Sequence, residues 1–378
     1  MRVTRIQLRD FRNYEAAEVE LAEGLTVVAG ANGAGKTNLL EAVYFGCTAR
    51  SPRTSNEREL VRRGGEGVAR VVLDLDGDDG EHRIEVGFQP GEPKHLRVDG
   101  SPVEGLQTVE VRPLVSVFLP ERLELVKGAP AARRAHLDQV VAALWPSRAA
   151  TRAAYSRALA QRNALVGRIR GGSAGPAALD AWDAELSRHG IRLVADRAEA
   201  VDGLRAPFAD LARRLGLPGV AELRYRPRSA ATDAAGLAAE LGERRSADLE
   251  RGFTAHGPHR DELQLVLDGM PLRAYGSQGQ QRAALLALLF AERRLLAERR
   301  ARPPLMLLDD VMSELDAGRR ERLVEVLRAG GQSVVTTTDL SHVPGAEDAG
   351  VERVAISGGR VLQTAPGEDG AELRAVAG

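Results

Sequence analysis

Gly30-Ala31-Asn32-Gly33-Ala34-Gly35-Lys36-Thr37 limits what this chain can fold into more than any other stretch. It carries the Gly, four residues, Gly-Lys and Ser/Thr spacing of a phosphate-binding P-loop. Residues 25–29 before it read as a buried strand, and residues 38–45 after it as an amphipathic helix. Glycines at 30, 33 and 35 let the backbone curl until successive N–H groups point inward at phosphate oxygens. Ala31, Asn32 and Ala34 complete the loop, and the helix N-terminus adds a partial positive charge. Lys36 has the reach for β- and γ-phosphates, and Thr37 a hydroxyl for Mg²⁺. The plain alternative is a Gly-rich turn between strand and helix; correct flanks on both sides weigh against it.

The chain's 378 residues leave room for two domains, or one large domain with an insertion. Hydrophobic content of 43% and charged content of 28% are those of a soluble globular chain with a sizeable core. No apolar run approaches the roughly 18 to 20 residues of a membrane span. The start Met1-Arg2-Val3-Thr4-Arg5 does not resemble a signal peptide. The single cysteine, Cys47, excludes an internal disulfide framework or a Cys-cluster zinc site and fits a reducing cytoplasm. A net charge of −1 lacks the basic footprint of a protein that coats DNA. Any nucleic-acid contact must therefore use a local patch, or a surface assembled from two subunits.

Short strands are expected at residues 3–8, 18–21 and 26–29, then at 68–75, 83–88 and 115–118. Leu96-Arg97-Val98 followed by Asp99-Gly100 is a hairpin signal. From about 121 to 215 the texture is Ala, Leu, Arg and Glu at helical spacing, interrupted by the turn Gly171-Gly172-Ser173-Ala174-Gly175-Pro176. A helix is expected within 233–250, a hairpin over 263–274, and a helix over 280–298. Leu305-Met306-Leu307-Leu308 is a buried strand, followed by a helix over 319–327 and a strand over 333–337. The expected fold is α/β: a nucleotide-binding domain, residues 1–120 and 250–378, with an inserted mainly helical domain, residues 121–249.

The strand 305–308 delivers Asp309 and Asp310 to its end, as the metal-holding partner of a P-loop does. Asp309 is the candidate Mg²⁺ ligand, beside Thr37, and Asp310 the candidate for orienting the attacking water. Ser277-Gln278-Gly279-Gln280 opens a long helix and offers a second anion site; an ordinary capping box, Ser277 with Gln280, uses the same geometry. The order P-loop, Ser-x-Gly-Gln helix start, acidic strand end and Ser313-Glu314-Leu315-Asp316 is that of an ABC-type ATPase.

Further segments narrow the resemblance. Phe11-Arg12-Asn13-Tyr14, Phe118-Leu119-Pro120-Glu121, Leu125-Val126-Lys127-Gly128 with Arg133-Arg134, and Gly257-Pro258-His259-Arg260-Asp261-Glu262-Leu263 lie in the same order as in the RecF family. The chain resembles that family, bacterial repair ATPases related to SMC-type heads, from Arg5 to about Asp339. The resemblance implies an ATP-dependent homodimer on double- and single-stranded DNA at gap junctions, with slow hydrolysis. It also implies work with RecO and RecR in loading RecA, and a role in replication restart and the SOS response. It makes Gly30 to Thr37 the ATP loop, Ser277 and Gln280 the signature that meets the partner's γ-phosphate, and Asp316 the acid of the following loop. Two positions depart from the general ABC pattern: Gln278 for the first signature glycine, and Asp310 for the usual catalytic Glu. The switch position carries Thr338-Asp339 rather than a His, with His342 slightly late.

Candidate DNA contacts are Arg12, Arg50, Arg53, Arg58, Arg62, Arg63, Arg133 and Arg134, each with a salt bridge or solvated face as its plain alternative. His256, His259, Arg260 and Asp261 lack a third ligand at metal spacing and read as structural. Two other functions remain: the ATP-driving subunit of another ABC-type system, such as a transporter, and a P-loop small-molecule kinase. A kinase has no use for the signature helix. A transporter subunit has a clear switch His and no long helical insertion.

Overall fold

The structure is a computed structural model that describes residues 1–313 and 315–363. Glu314 and the end of the expected 250–378 segment lie outside the described residues. The chain divides into two compact units, Met1–Arg122 with the chain from Leu296 onward, and Leu123–Leu295. The sequence-based bounds 121–249 stop short of the second unit's end. Strands at 221–226 and 262–267 pair there, so the residues between and after them stay with the helices.

In the first unit, β1 (Arg2–Phe11), β2 (Tyr14–Glu20), β4 (Ala69–Gly77), β5 (Gly80–Phe88), β6 (His95–Val98) and β7 (Ser101–Pro102) form an antiparallel sheet in the order β2-β1-β4-β5-β6-β7. The hairpin signal Asp99-Gly100 is the turn between β6 and β7, with Asp99 at φ 51°. A second sheet runs β15-β14-β3-β13-β12-β8, from β3 (Leu25–Ala29), β8 (Val115–Phe118), β12 (Leu305–Leu308), β13 (Ser333–Thr337), β14 (Val351–Ser357) and β15 (Arg360–Gln363). All its pairings are parallel except β14 with β15. The central strands β3, β12 and β13 are buried almost throughout, as strands covered on both faces must be. Helix α1 (Lys36–Thr48) packs against both sheets, and Leu39, Leu40, Val43 and Phe45 are fully buried in the shared core. Strands β14 and β15 were not among the expected elements.

In the second unit, α3 (Pro130–Leu144), α4 (Ala149–Arg170) and α5 (Leu179–Arg214) follow the short α2 (Glu124–Lys127). Then come β9 (Ala221–Arg226), α6 (Ala234–Glu243), α7 (Arg245–Arg251), β10 (Glu262–Leu267), β11 (Met270–Pro271) and α8 (Leu272–Tyr275). Strand β10 pairs antiparallel with both β9 and β11. The hairpin expected over 263–274 is shorter than its pattern, because Leu272–Tyr275 turns into a helix and buries Leu272. Helix α9 (Gln278–Arg300) leads the chain back to the first unit, and α10 (Ala317–Arg328) lies between β12 and β13 in sequence.

Buried arginines organise the helical unit. Arg162, without exposed surface, donates to Asp183 at 2.6 Å, Asp248 at 2.7 Å and Thr254 at 2.7 Å. Arg197 grips Asp138 with two hydrogen bonds, 2.8 and 3.1 Å, and reaches Asp261 at 3.2 Å. Such charges tolerate burial because acceptors meet most of their donors, although Arg162 Nη2 is buried without a partner. His256, His259 and Asp261 are accordingly held in the packing of this unit. His259 Nε2 faces the Thr254 carbonyl at 2.9 Å and so carries the proton, which leaves Nδ1 to accept from Tyr155 at 2.7 Å.

Candidate nucleotide site

The P-loop leaves β3 and curls into α1 in a conformation that only glycine tolerates at two points. Gly35 has φ 121°, and a β-carbon there would stand 2.7 Å from Asn13 Nδ2. Gly30 lies so close to the Ile356 carbonyl that no side chain fits. The carbonyls of the loop need donors. Asn13 Nδ2 donates to the Ala34 carbonyl at 3.1 Å and the Gly359 amide to the same oxygen at 3.0 Å. Tyr14 donates its hydroxyl to the Gly35 carbonyl at 3.0 Å, and Asn38 holds Asn13 Oδ1 at 2.8 Å. Asn13 and Tyr14 entered the sequence reading only as part of a resembling motif; their polar side chains at a strand turn gave no sign of this contact.

Lys36 is 7% exposed, and its ammonium donates back to the carbonyls of Gly30 at 2.7 Å and Ala31 at 3.0 Å. Thr37 donates its hydroxyl to Asp309 Oδ2 at 2.8 Å, which joins the start of α1 to the end of β12. Thr336 on the neighbouring β13 donates to Asp309 Oδ1 at 2.7 Å and accepts from the Asp310 amide at 2.9 Å. Burial pushes the Asp309 carboxyl above its usual range, while both hydroxyl hydrogen bonds favour the charged form. Asp310 sits in the left-handed region, φ 46°, and its buried Oδ1 has no hydrogen-bond partner. A non-glycine left-handed residue with an unsatisfied carboxylate oxygen is a costly arrangement, of the kind that gathers at functional sites. Thr336 was read only as a strand residue. Its adjacency to Asp309 follows from the parallel pairing of β12 and β13, which local sequence does not state.

Asp316 caps α10 by accepting from the Arg319 amide at 2.9 Å, and its side chain is largely exposed. Asp339 caps the turn at Leu340–His342 through the Ser341 amide, and His342 Nδ1 is buried without a partner. In the helical unit, Ser277 and Gln280 form a reciprocal capping box. The Ser277 amide donates to Gln280 Oε1 at 2.8 Å and the Gln280 amide to Ser277 Oγ at 3.2 Å. Ser277, Gln278 and Gly279 are exposed.

The arginines proposed for DNA separate into two groups. Arg12 forms a bidentate pair with the buried Glu41 of α1, both bonds 2.8 Å, and Arg53 reaches the same carboxylate at 3.2 Å. Arg62 pairs with Asp10 at 2.6 Å. Arg133 is 3% exposed and clamps Glu262 and three backbone carbonyls, while Arg134 donates to the Asp261 carbonyl at 2.8 Å. Buried carboxylates and carbonyls outcompete solvent for these guanidiniums, so Arg12, Arg62, Arg133 and Arg134 serve the fold in this structure rather than the surface. Arg50, Arg58 and Arg63 are exposed and form no ion pair among the described residues. Arg50 and Arg53 line a surface cleft with Ser51, Thr54 and Lys94.

Comparison with known proteins agrees with this geometry. The family described as RecF/RecN/SMC N terminal domain matches residues 2–354. A curated DNA replication and repair protein RecF from Anaeromyxobacter sp. (strain Fw109-5) is 40% identical over 377 residues, covering 96% of this chain and 99% of its own. The RecF of Kineococcus radiotolerans is 37% identical, covering 96% and 100%. Among solved structures, the recombination mediator protein RecF with ATP, from the RecFOR pathway, superposes with a TM-score of 0.84 at 28% identity, covering 96% of this chain and 98% of that one. An SMC head bound to the C-terminal winged-helix domain of ScpA shares the fold, with a TM-score of 0.58 at 16% identity over 97% of this chain and 98% of that one. No helix among the described residues is long and apolar enough to cross a membrane. By a family match over most of its length and by relatives of this identity, the chain belongs to the RecF/RecN/SMC N-terminal domain family, among its RecF members.

Proposed function

We propose that this chain is an ATP-dependent DNA-binding protein of recombinational repair and replication restart. In this reading ATP binding drives head-to-head homodimerisation on DNA at gap junctions, and slow hydrolysis releases it. The observation that carries the reading is the Thr37–Asp309–Thr336 chain beside a preformed P-loop. Lys36, held on loop carbonyls, has neutral partners that a phosphate readily replaces. Thr37 and Asp309 suit an oxygen-preferring Mg²⁺, and a bound cation would hold the buried Asp309 carboxyl ionised. The free Oδ1 of Asp310 fits a base that orients water toward the γ-phosphate. Mg²⁺ supplies charge neutralisation at the phosphates; the amides of residues 30 to 37 bind and orient them.

The exposed signature, Ser277 and Gln280 with the helix N-terminus behind them, supports closure by a second copy. Asp316 belongs to the same expected interface. Arg50, Arg58 and Arg63 are the cations proposed for DNA phosphates. Work with RecO and RecR toward RecA loading, the SOS role and a cytoplasmic location rest on the likeness to RecF proteins. Analytical ultracentrifugation with ATP, with and without duplex DNA, tests the core of the reading. A dimer that forms with ATP and binds DNA supports it, and a chain that stays monomeric at saturating ATP sinks it. Lys36→Ala is expected to abolish both ATP binding and the dimer.

A further inference from the structure

Several exposed arginines of the helical unit pair with a nearby acid, as in Arg188 with Glu185, Arg205 with Asp202 and Arg213 with Asp210. Another set surrounds an exposed aromatic ring. Helix α4, 22 residues long, contains no Asp or Glu and ends in Arg168 and Arg170. Helix α7 ends in Arg251, and Gly252 follows at φ 86° with its amide on the Asp248 carbonyl at 2.8 Å. Because Gly252 has no β-carbon, the Arg170 guanidinium lies directly over it. The next residue, Phe253, is 41% exposed, and the Arg260 guanidinium stands 5.4 Å from its ring centre. Thr254 pins this segment to α4 through Asn163, at 2.8 and 2.7 Å, and through Arg162 at 2.7 Å. The ring is thus presented from a fixed platform.

Arg170, Arg251 and Arg260 have no carboxylate within ion-pair distance among the described residues. Of the nearby acids on α7, Asp248 is buried against Arg162, and only Glu250 is exposed. Placing Arg168, Arg170 and Arg251 at helix C-termini is favourable in itself. That accounts neither for an exposed phenylalanine nor for a further arginine, Arg260, over its ring.

We propose that Phe253, framed by Arg170, Arg251 and Arg260, is a contact for single-stranded DNA. The inference deepens the DNA-binding reading above and rests on it. The chemistry selects an unpaired strand: guanidiniums neutralise phosphates of any sequence, and an exposed ring gains most by stacking on a base that is not already stacked in a duplex. This surface belongs to the helical unit, apart from the arginines of residues 50 to 63.

The test is fluorescence anisotropy of the full chain with ATP, using labelled oligo(dT) and a duplex of equal length. Phe253→Ala is expected to weaken single-strand binding about tenfold and leave duplex binding unchanged, while Phe253→Trp retains the single strand. Replacing Arg251 and Arg260 together by Ala should flatten the salt dependence of single-strand affinity by about 1.4 in slope. Unchanged oligo(dT) affinity in Phe253→Ala overturns the proposal, as does an equal loss on duplex. If the unaltered chain binds duplex with ATP but not oligo(dT), this inference fails while the DNA-binding reading stands. Failure to bind duplex with ATP defeats that reading itself.

Discussion

Asp310 is the residue at which local geometry and chemistry meet. Its backbone is left-handed, its amide is held by Thr336, and its Oδ1 is unsatisfied. Asp309, one residue earlier, has both oxygens occupied. Two adjacent acids thus differ in what their neighbours donate, which is the basis for proposing Asp309 as the holder of the metal and Asp310 as the base. Asp310→Asn preserves shape and removes the basic oxygen, so ATP binding and the dimer should persist. Hydrolysis should fall by a factor on the order of 100 or more. Single-turnover hydrolysis at the unaltered rate would remove Asp310 from the role of base.

At the scale of the element, the start of α9 proposed as the signature is also a capping box. Ser277 Oγ accepts from the Gln280 amide, and Gln280 returns the bond to the Ser277 amide. Capping alone predicts that Ser277→Ala costs about 1 kcal/mol of stability and nothing else. The signature role predicts more: unaltered ATP binding by the monomer, but a weaker ATP-dependent dimer. Equilibrium sedimentation beside a nucleotide-binding titration separates the two, and a dimer of normal strength would count against the signature. Helix α1 shows the complementary case. Its Glu41 is buried under Arg12, Arg53 and Ser51. Two arginines that a reading of charge alone assigns to DNA are in this way tied to the helix that starts at Lys36.

The whole molecule carries a pH dependence in the buried polar network of its helical unit. Burial pushes the His259 imidazole down to about 4, against the opposing pull of the Thr254 carbonyl on Nε2, and the Tyr155 hydroxyl donated to Nδ1 suits the neutral ring. The unfolded chain binds this proton near pH 6.5, so the unfolded state holds more protons between those values. The stabilisation is full above pH 6.5 and is lost as pH falls toward 4. Between pH 7 and pH 5 the loss attributable to His259 is about 2 kcal/mol. Urea unfolding at both pH values should show a steeper loss in the unaltered chain than in His259→Gln; equal losses would exclude His259 as the source.

The sequence by itself determined the elements that depend on near neighbours. Spacing of glycines, Lys36 and Thr37 announced the loop, the apolar run 305–308 announced the strand that ends in Asp309, and Asp99-Gly100 announced its hairpin. These are local because φ/ψ limits and side-chain periodicity act over a few residues. Tertiary structure alone decided which donors meet which acceptors across long separations. Examples are Thr336 on Asp309, Asn13 and Gly359 on the Ala34 carbonyl, and Arg133 on Glu262. It also decided which arginines are tied into the fold and which remain exposed. A buried charge or carbonyl must find its partner wherever folding brings one, and that requirement leaves no local pattern to read.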